Sequence, residues 1–85
     1  MSVKLVYFAW VRERIGKADE MFDPPTAVKT IGDLITLLAA RDESYAYAFE
    51  RAPFIRVAID RKHAKHETLI ADAREIAFFP PMTGG

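Results

Sequence analysis

The sequence predicts an α+β domain, in which a mixed β-sheet carries one main helix on one of its faces. Segments rich in β-branched and aromatic residues stand near both ends of the chain, and such segments are typical of strands. Between them, one longer stretch repeats its apolar residues at helical spacing. A chain of 85 residues has room for one domain, which we assign to residues 1–85.

The N-terminal elements are predicted to form a hairpin. Residues 3–10 read VKLVYFAW, a run short enough for a strand and apolar on both of its faces. Residues 11–17 follow as a turn with Gly16 as its pivot, because glycine tolerates turn geometry. Residues 18–22 form a weaker second strand, which the sequence DPP ends.

The middle of the chain carries the helical signal. Thr30 precedes Asp33 by three residues, as in a capping box at the start of a helix. The apolar residues at helical spacing predict an amphipathic helix over residues 31–41. They are Ile31, Leu34, Ile35 and Leu38. Residues 43–51 predict a second, shorter helix, whose three aromatic residues we interpret as packing residues: Tyr45, Tyr47 and Phe49.

The C-terminal part of the chain supplies the remaining strands. Residues 54–59 predict a strand, residues 60–62 a turn, residues 64–69 a short polar continuation and residues 74–79 the last strand. The first and last strands are the most apolar, so we place them side by side and parallel in the centre of the sheet. This order of elements is that of the β-grasp, or ubiquitin-like, roll.

Composition excludes several classes of function. The chain has no cysteine, which excludes disulfides, zinc–thiolate sites and a thiol nucleophile. Its 12 basic and 12 acidic residues are interspersed and leave no basic stripe for nucleic acid. The N-terminal apolar run is too short to span a bilayer and lacks the layout of a signal peptide. We therefore expect a soluble cytoplasmic domain with no nucleic-acid or membrane partner.

No arrangement of residues in the sequence predicts a catalytic or metal centre of its own. It contains no glycine-rich phosphate loop and no serine–histidine–aspartate arrangement. His63 and His66 lie among charged residues, but a metal site would need further ligands that the sequence does not place there. We expect them to belong to a solvated polar hairpin, with one role left open: His63 lies on a strand that could approach a partner.

The chain ends in FFPPMTGG, and residues 80–85 are predicted to form a projecting tail. Pro80 and Pro81 fix φ at two positions and make a stiff lead away from the sheet. The rest of the tail consists of Met82, Thr83, Gly84 and Gly85. Two glycines form the thinnest possible peptide, which could thread a narrow channel and bring its carboxylate to reacting groups. The tail is thus either a frayed end or a chemical handle, and we favour the handle.

Three stretches of the sequence carry a resemblance to a known family. FAWVRERIG near the N-terminus, VAID at residues 57–60 and EIAFFPPMTGG at the C-terminus are similar to the small subunits of molybdopterin synthase. These are sulfur carriers of the ubiquitin-like superfamily. Asp60 stands where the family often has asparagine, and both residues suit a turn. Sulfur carriers of the thiamine pathway also end in two glycines but usually lack the Phe-Phe-Pro-Pro lead.

The resemblance implies a function for the tail. An adenylating partner enzyme would use ATP to convert the Gly85 carboxylate to an acyl-adenylate, and sulfur from a persulfide donor protein would replace AMP. The resulting thiocarboxylate, on the Gly84-Gly85 arm, would enter the large catalytic subunit and give its sulfur to a cyclic pterin precursor. Two such transfers would build the dithiolene that binds molybdenum. The chain itself would bind no cofactor, and catalytic groups would lie on the large subunit.

Three alternatives remain open from the residues. The carrier could serve thiamine or another thiolation pathway instead. Gly85 could form isopeptide bonds with lysines, as in a ubiquitin-like protein modifier. The chain could also be a plain β-grasp interaction module whose tail has no chemistry.

A partner should bind a surface next to the tail. If the helix covers one face of the sheet, alternation along the strands puts Phe8 and Phe79 on the other face, where exposed aromatics indicate an interface. The opposite interpretation is that loops or the second helix cover them as core. We predict that a partner contacts these two residues together with Pro80, Pro81, Met82 and Thr83. Arg12 either pairs with an acidic group on the activating enzyme or is a solvated loop charge.

Overall fold

The computed structural model describes residues 2–81 of the chain. These residues form a five-stranded sheet in the order β2-β1-β5-β3-β4. The strands are β1 (Val3–Tyr7), β2 (Asp19–Phe22), β3 (Arg56–Ile59), β4 (Lys62–Ala64) and β5 (Glu75–Phe79). The helices are α1 (Ala9–Ile15), α2 (Ile31–Ala39) and α3 (Glu43–Ala48), with a short 3₁₀ helix at Ala52–Phe54. No helix among the described residues is long and apolar enough to cross a membrane.

The sheet is mixed, as predicted. β1 pairs antiparallel with β2 and parallel with β5, and β3 pairs antiparallel with both β5 and β4. The first and last strands of the chain are therefore neighbours in the sheet interior, which confirms the prediction made from their apolar sequences. Because β5 runs parallel to β1, the chain leaves the sheet at the end where β1 passes into α1.

One face of the sheet carries the core. Tyr7 of β1 stacks on Phe78 of β5 with ring centroids 5.8 Å apart, and Phe49 contacts Phe78 edge-on at 5.4 Å. The predicted capping box is present, since the Thr30 side chain accepts from the Asp33 N–H and Asp33 accepts from the Thr30 N–H. The four apolar residues predicted to line α2 are all buried: Ile31, Leu34, Ile35 and Leu38.

The first departure from prediction lies in residues 8–16. The strand predicted over residues 3–10 ends at Tyr7, and the turn predicted over residues 11–17 is instead the helix α1. Val11 and Ile15 are four residues apart, which puts both on the core side of a helix, where they are 0% and 7% exposed. Gly16 ends α1 in the left-handed conformation, with φ of 88°, which glycine adopts without strain.

The second departure concerns the β3–β4 hairpin. Asp60 and Arg61 both have positive φ, 48° and 71°, and make a tight two-residue turn. This turn pairs Ile59 with Lys62, so β4 occupies residues 62–64 and not the predicted residues 64–69. Further along, only Leu69 forms a single bridge, to Thr30. β3 begins at Arg56 and not at residue 54, because the Ala52–Phe54 segment around Pro53 forms a 3₁₀ turn.

A half-buried carboxylate at the edge of the core ties β2 to α3. Glu20 accepts hydrogen bonds from the hydroxyls of Tyr7 and Tyr45 at 2.7 and 2.6 Å, and from Arg41 and Lys17 at 3.2 and 3.3 Å. Burial by itself would raise the pKa of Glu20, but the hydrogen bonds from Tyr45, Tyr7 and Arg41 outweigh it and lower the pKa to about 2. Glu20 is therefore an ionised structural group at neutral pH.

Candidate functional site

The buried residues of α1, α2 and α3 all belong to one cluster with Tyr7 and Phe78, so the helices pack on the core face of the sheet and the functional candidates lie on the opposite face. The register of the strands lines up one row of small and apolar residues that ends in a histidine: Val6, Ala77, Ala58 and His63. A second row, nearer the end of β5, contains Phe79 beside Arg56. Ala77 is only 7% exposed although it belongs to this face, because its neighbours shield it. We refer to the side chains of these two rows as the open face.

Phe8 extends the open face beyond the end of β1. It is 48% exposed and is the residue that precedes α1. Its backbone N–H donates to the carbonyl of Phe78 at 3.0 Å, which holds it beside β5. The alternation argument placed Phe8 on a strand, and that is wrong. Phe8 is nevertheless exposed next to the end of β5, and its contact with a partner stays a prediction.

The tail begins at the same end of the molecule. Phe79 is half-buried, and the ring of His63 contacts it edge-on at 5.6 Å. Pro80 and Pro81 continue from β5 and are also half-buried. The predicted residues Met82, Thr83, Gly84 and Gly85 lie outside the described residues. The described part of the tail thus starts at the end of an interior strand, directly after Phe79 and close to Phe8.

Arg12 and His66 contribute less directly to this surface. Arg12 lies on α1, not in a loop, and its backbone N–H bonds to the carbonyl of Phe8 at 3.3 Å. Its side chain is exposed, and no ion pair involves it within residues 2–81. His66 lies 2.8 Å, through its Nε2, from the carbonyl oxygen of Ile55. It therefore serves the local fold, whereas His63 lies on the open face.

A groove beside the tail was missed from the sequence. It has a volume of about 430 Å³, and Pro81 lines it together with Phe54, Arg56 and Lys65. Phe54 is 60% exposed. The alternation of residues 55–59 would have placed Arg56 on the open face, because Ile55, Val57 and Ile59 point to the other side. Among the described residues, no group of acidic or histidine side chains could hold a metal ion.

Comparison with known proteins identifies the family to which the chain is similar. The family described as the ThiS family matches residues 5–85. The molybdopterin synthase sulfur carrier subunit of Escherichia coli is 30% identical over 98% of this chain and 99% of that protein. The subunit of the same name from Haemophilus influenzae is 32% identical, again over 98% of this chain and 99% of that protein. The resemblance inferred from the three sequence stretches is thereby confirmed.

Solved structures share the fold. SAMP1 from Haloferax volcanii superposes with a TM-score of 0.72, at 26% identity and full coverage of both chains. A putative molybdopterin converting factor, subunit 1, from Pyrococcus furiosus has a TM-score of 0.74 at 22% identity, covering 96% of this chain and 99% of that one. The predicted α+β, ubiquitin-like class is confirmed.

Proposed function

Because the chain belongs to the ThiS family, we propose that it is the sulfur carrier subunit of a molybdopterin synthase. The observation that carries this proposal is similarity over nearly the whole length of two proteins that bear this name. The geometry is compatible with it, since the diglycine sequence follows β5, which ends at the half-buried Phe79 beside the exposed Phe8. We expect the protein to work in the cytoplasm.

The proposed chemistry uses the carboxylate of Gly85. An adenylating enzyme joins this carboxylate to AMP from ATP and releases pyrophosphate. Sulfur from a persulfide donor protein then replaces AMP, with a thiol as the reductant, and leaves a C-terminal thiocarboxylate. Since the chain has no cysteine, the C-terminus is the position where it would carry reactive sulfur. The thiocarboxylate then gives its sulfur to a cyclic pterin precursor.

The other components of the reaction belong to partners. We assign the catalytic groups to the large subunit of molybdopterin synthase, and ATP to the adenylating enzyme. The chain acts as a subunit and co-substrate without a bound cofactor. The open face and Phe8 would dock on the large subunit, while Gly84 and Gly85 enter its active site. Two glycines suit this role because neither carries a Cβ that would widen the arm.

The experiment is an intact-mass measurement of the purified chain. Incubation with ATP, the adenylating enzyme and a sulfur donor should replace one oxygen by sulfur, and fragmentation should locate the change at Gly85. A chain that keeps its original mass after this incubation contradicts the proposal. Deletion of Gly84 and Gly85 is the matched variant: it should abolish complementation of a strain that lacks the subunit and leave the thermal unfolding midpoint unchanged.

A second candidate is a protein modifier, and one observation favours it. The name SAMP1 stands for small archaeal modifier protein 1. The chain shares the fold of SAMP1 over the full length of both proteins, at 26% identity. A modifier would use the same activated C-terminus. A modifier predicts conjugates of higher mass in extracts of the native host, with Gly85 linked to lysine side chains. A carrier dedicated to cofactor synthesis predicts that such conjugates are absent.

A further inference from the structure

Arg56 occupies an unusual position at the border of two surfaces. It lies opposite Phe79 in the β3–β5 register, so the two side chains share the open face. Arg56 also lines the groove beside Pro81. Any partner that covers Phe79 and the beginning of the tail must therefore also cover Arg56.

Within residues 2–81, Arg56 has no counter-ion. Among residues 2–81, the ion pairs of arginine involve Arg14 with Glu50 and Arg41 with Glu20. Arg56 forms no such pair there and stacks on no aromatic ring, unlike Arg14, whose guanidinium lies 3.9 Å from the ring of Tyr47. In the described part of the chain, the exposed Arg12 and Arg61 likewise form no ion pair, but Arg56 lies beside Phe79 at the start of the tail.

The charges around the groove are unequal. Arg56 and Lys65 line it as cations, and Glu67 is the one carboxylate among its lining residues. His66 also lines the groove, with its ring nitrogen held at the Ile55 carbonyl. The groove therefore has an excess of positive charge next to Phe79, and on docking this charge would lose its water.

A guanidinium that became buried and unpaired on docking would oppose it, since the free-energy cost of desolvating a charge is offset only when the partner supplies compensating hydrogen bonds or an opposite charge. We propose that Arg56 determines partner specificity by pairing with a carboxylate on the protein that covers the open face. This inference rests on the proposed function, because it concerns the surface that would dock on the large subunit. The partner surface should accordingly combine an apolar centre, facing Phe8 and Phe79, with an acidic group at the β3 side.

The test measures binding of the large subunit from the same organism to the full-length carrier, as a function of salt concentration. Arg56→Glu should weaken binding about tenfold to a hundredfold at low salt, because like charges replace an ion pair. Arg61→Glu is the matched control, since Arg61 is exposed at the opposite end of β3 and the charge change is the same. It should change the affinity less than about threefold, as expected for a charge at or beyond an interface rim.

The outcomes separate this inference from the proposed function. If wild-type carrier binds the large subunit and the two charge reversals have equal effects, the role of Arg56 is refuted while the carrier function stands. Tighter binding of Arg56→Glu would also refute it, since the facing partner group would then be basic. Absence of wild-type binding would overturn both. Equal thermal midpoints of wild type, Arg56→Glu and Arg61→Glu establish that misfolding does not cause the change in affinity. Arg56→Ala removes the charge without reversing it, so its affinity should lie between those of wild type and Arg56→Glu.

Discussion

The two faces of the sheet differ in whether a charged side chain finds its partners within residues 2–81. On the core side, Glu20 is surrounded by four donors that belong to the same chain. On the open face, Arg56 stands beside Phe79 without an ion pair among the described residues. The first arrangement completes the fold. The second would leave a charge and an apolar surface for the proposed partner to cover, which is compatible with the proposed role of the chain as a subunit.

The largest effect on stability should come from removing the Glu20 carboxylate. Glu20→Ala leaves the hydroxyls of Tyr7 and Tyr45 and the guanidinium of Arg41 without their acceptor, and should lower the free energy of unfolding by about 2–4 kcal/mol. Urea denaturation followed by circular dichroism measures this loss. Glu13→Ala, on the exposed side of α1, is the control and should stay within about 0.5 kcal/mol of wild type. Equal losses in the free energy of unfolding for Glu20→Ala and Glu13→Ala would show that Glu20 does not stabilise the fold.

Acid should lower the stability of the folded chain by protonating the Glu20 carboxylate. The pKa of Glu20 is about 2 in the folded chain against an ordinary value of 4.5, because the hydrogen bonds of the folded state favour the carboxylate more than burial disfavours it. Its contribution is therefore complete above pH 4.5 and is lost as the pH falls from 4.5 towards 2. Thermal midpoints measured across this range should fall more steeply for wild type than for Glu20→Gln, which cannot titrate.

Asp33 provides an internal reference for that experiment. Hydrogen bonds from the backbone N–H groups of Lys29 and Thr30 lower its pKa as well. Since Asp33 is present in both proteins, its titration adds the same acid sensitivity to each. Parallel curves for wild type and Glu20→Gln would mean that Glu20 is not the group responsible.

On the open face, the expected effect is on binding and not on folding. Phe8→Ala removes an aromatic ring that is 48% exposed, and aromatic anchors at the centre of an interface typically cost more than 1 kcal/mol when truncated. The affinity for the large subunit should fall about tenfold, as measured by calorimetry. Phe54→Ala is an informative comparison: Phe54 is 60% exposed and lines the groove, so a similar loss would extend the docking surface there. No loss for Phe8→Ala would remove Phe8 from it.

Much of the fold could be predicted from the sequence because its signals are local. The capping box at Thr30 and the apolar alternation of the central strands depend on neighbouring residues, and both were predicted correctly. α1 was missed because FAW extends the apolar pattern of a strand. The apolar residues Val11 and Ile15 have helical spacing, but two residues alone do not predict a helix until the folded structure shows that both are buried in the core. Tyr47 was interpreted as a packing residue; it is 54% exposed, and the guanidinium of Arg14 packs on its ring.

The candidate site was predictable to a similar extent. Phe79 and the proline lead follow from strand alternation and from proline geometry. The Glu20 cluster, which belongs to the fold and not to the candidate site, could not be predicted. Glu20 and Tyr45 are 25 residues apart in the sequence and meet only in the folded chain. The proposed role of Arg56 was missed because it depends on Phe79, which is its partner across the β3–β5 register.

The smallest predicted effect concerns backbone strain next to Phe8. Ala9 has φ of 52°, in the left-handed region, where a Cβ costs roughly 1–2 kcal/mol. Ala9→Gly removes this cost but adds unfolded-state entropy, so the free energy of unfolding should rise by less than about 1 kcal/mol. Ala46→Gly, at an exposed position inside α3, should instead lower it by about 1 kcal/mol. If denaturation gives changes in the free energy of unfolding of opposite sign for the two variants, then the backbone at Ala9, next to Phe8, is strained in the folded chain. A loss at Ala9 equal to that at Ala46 would show that α1 begins without strain.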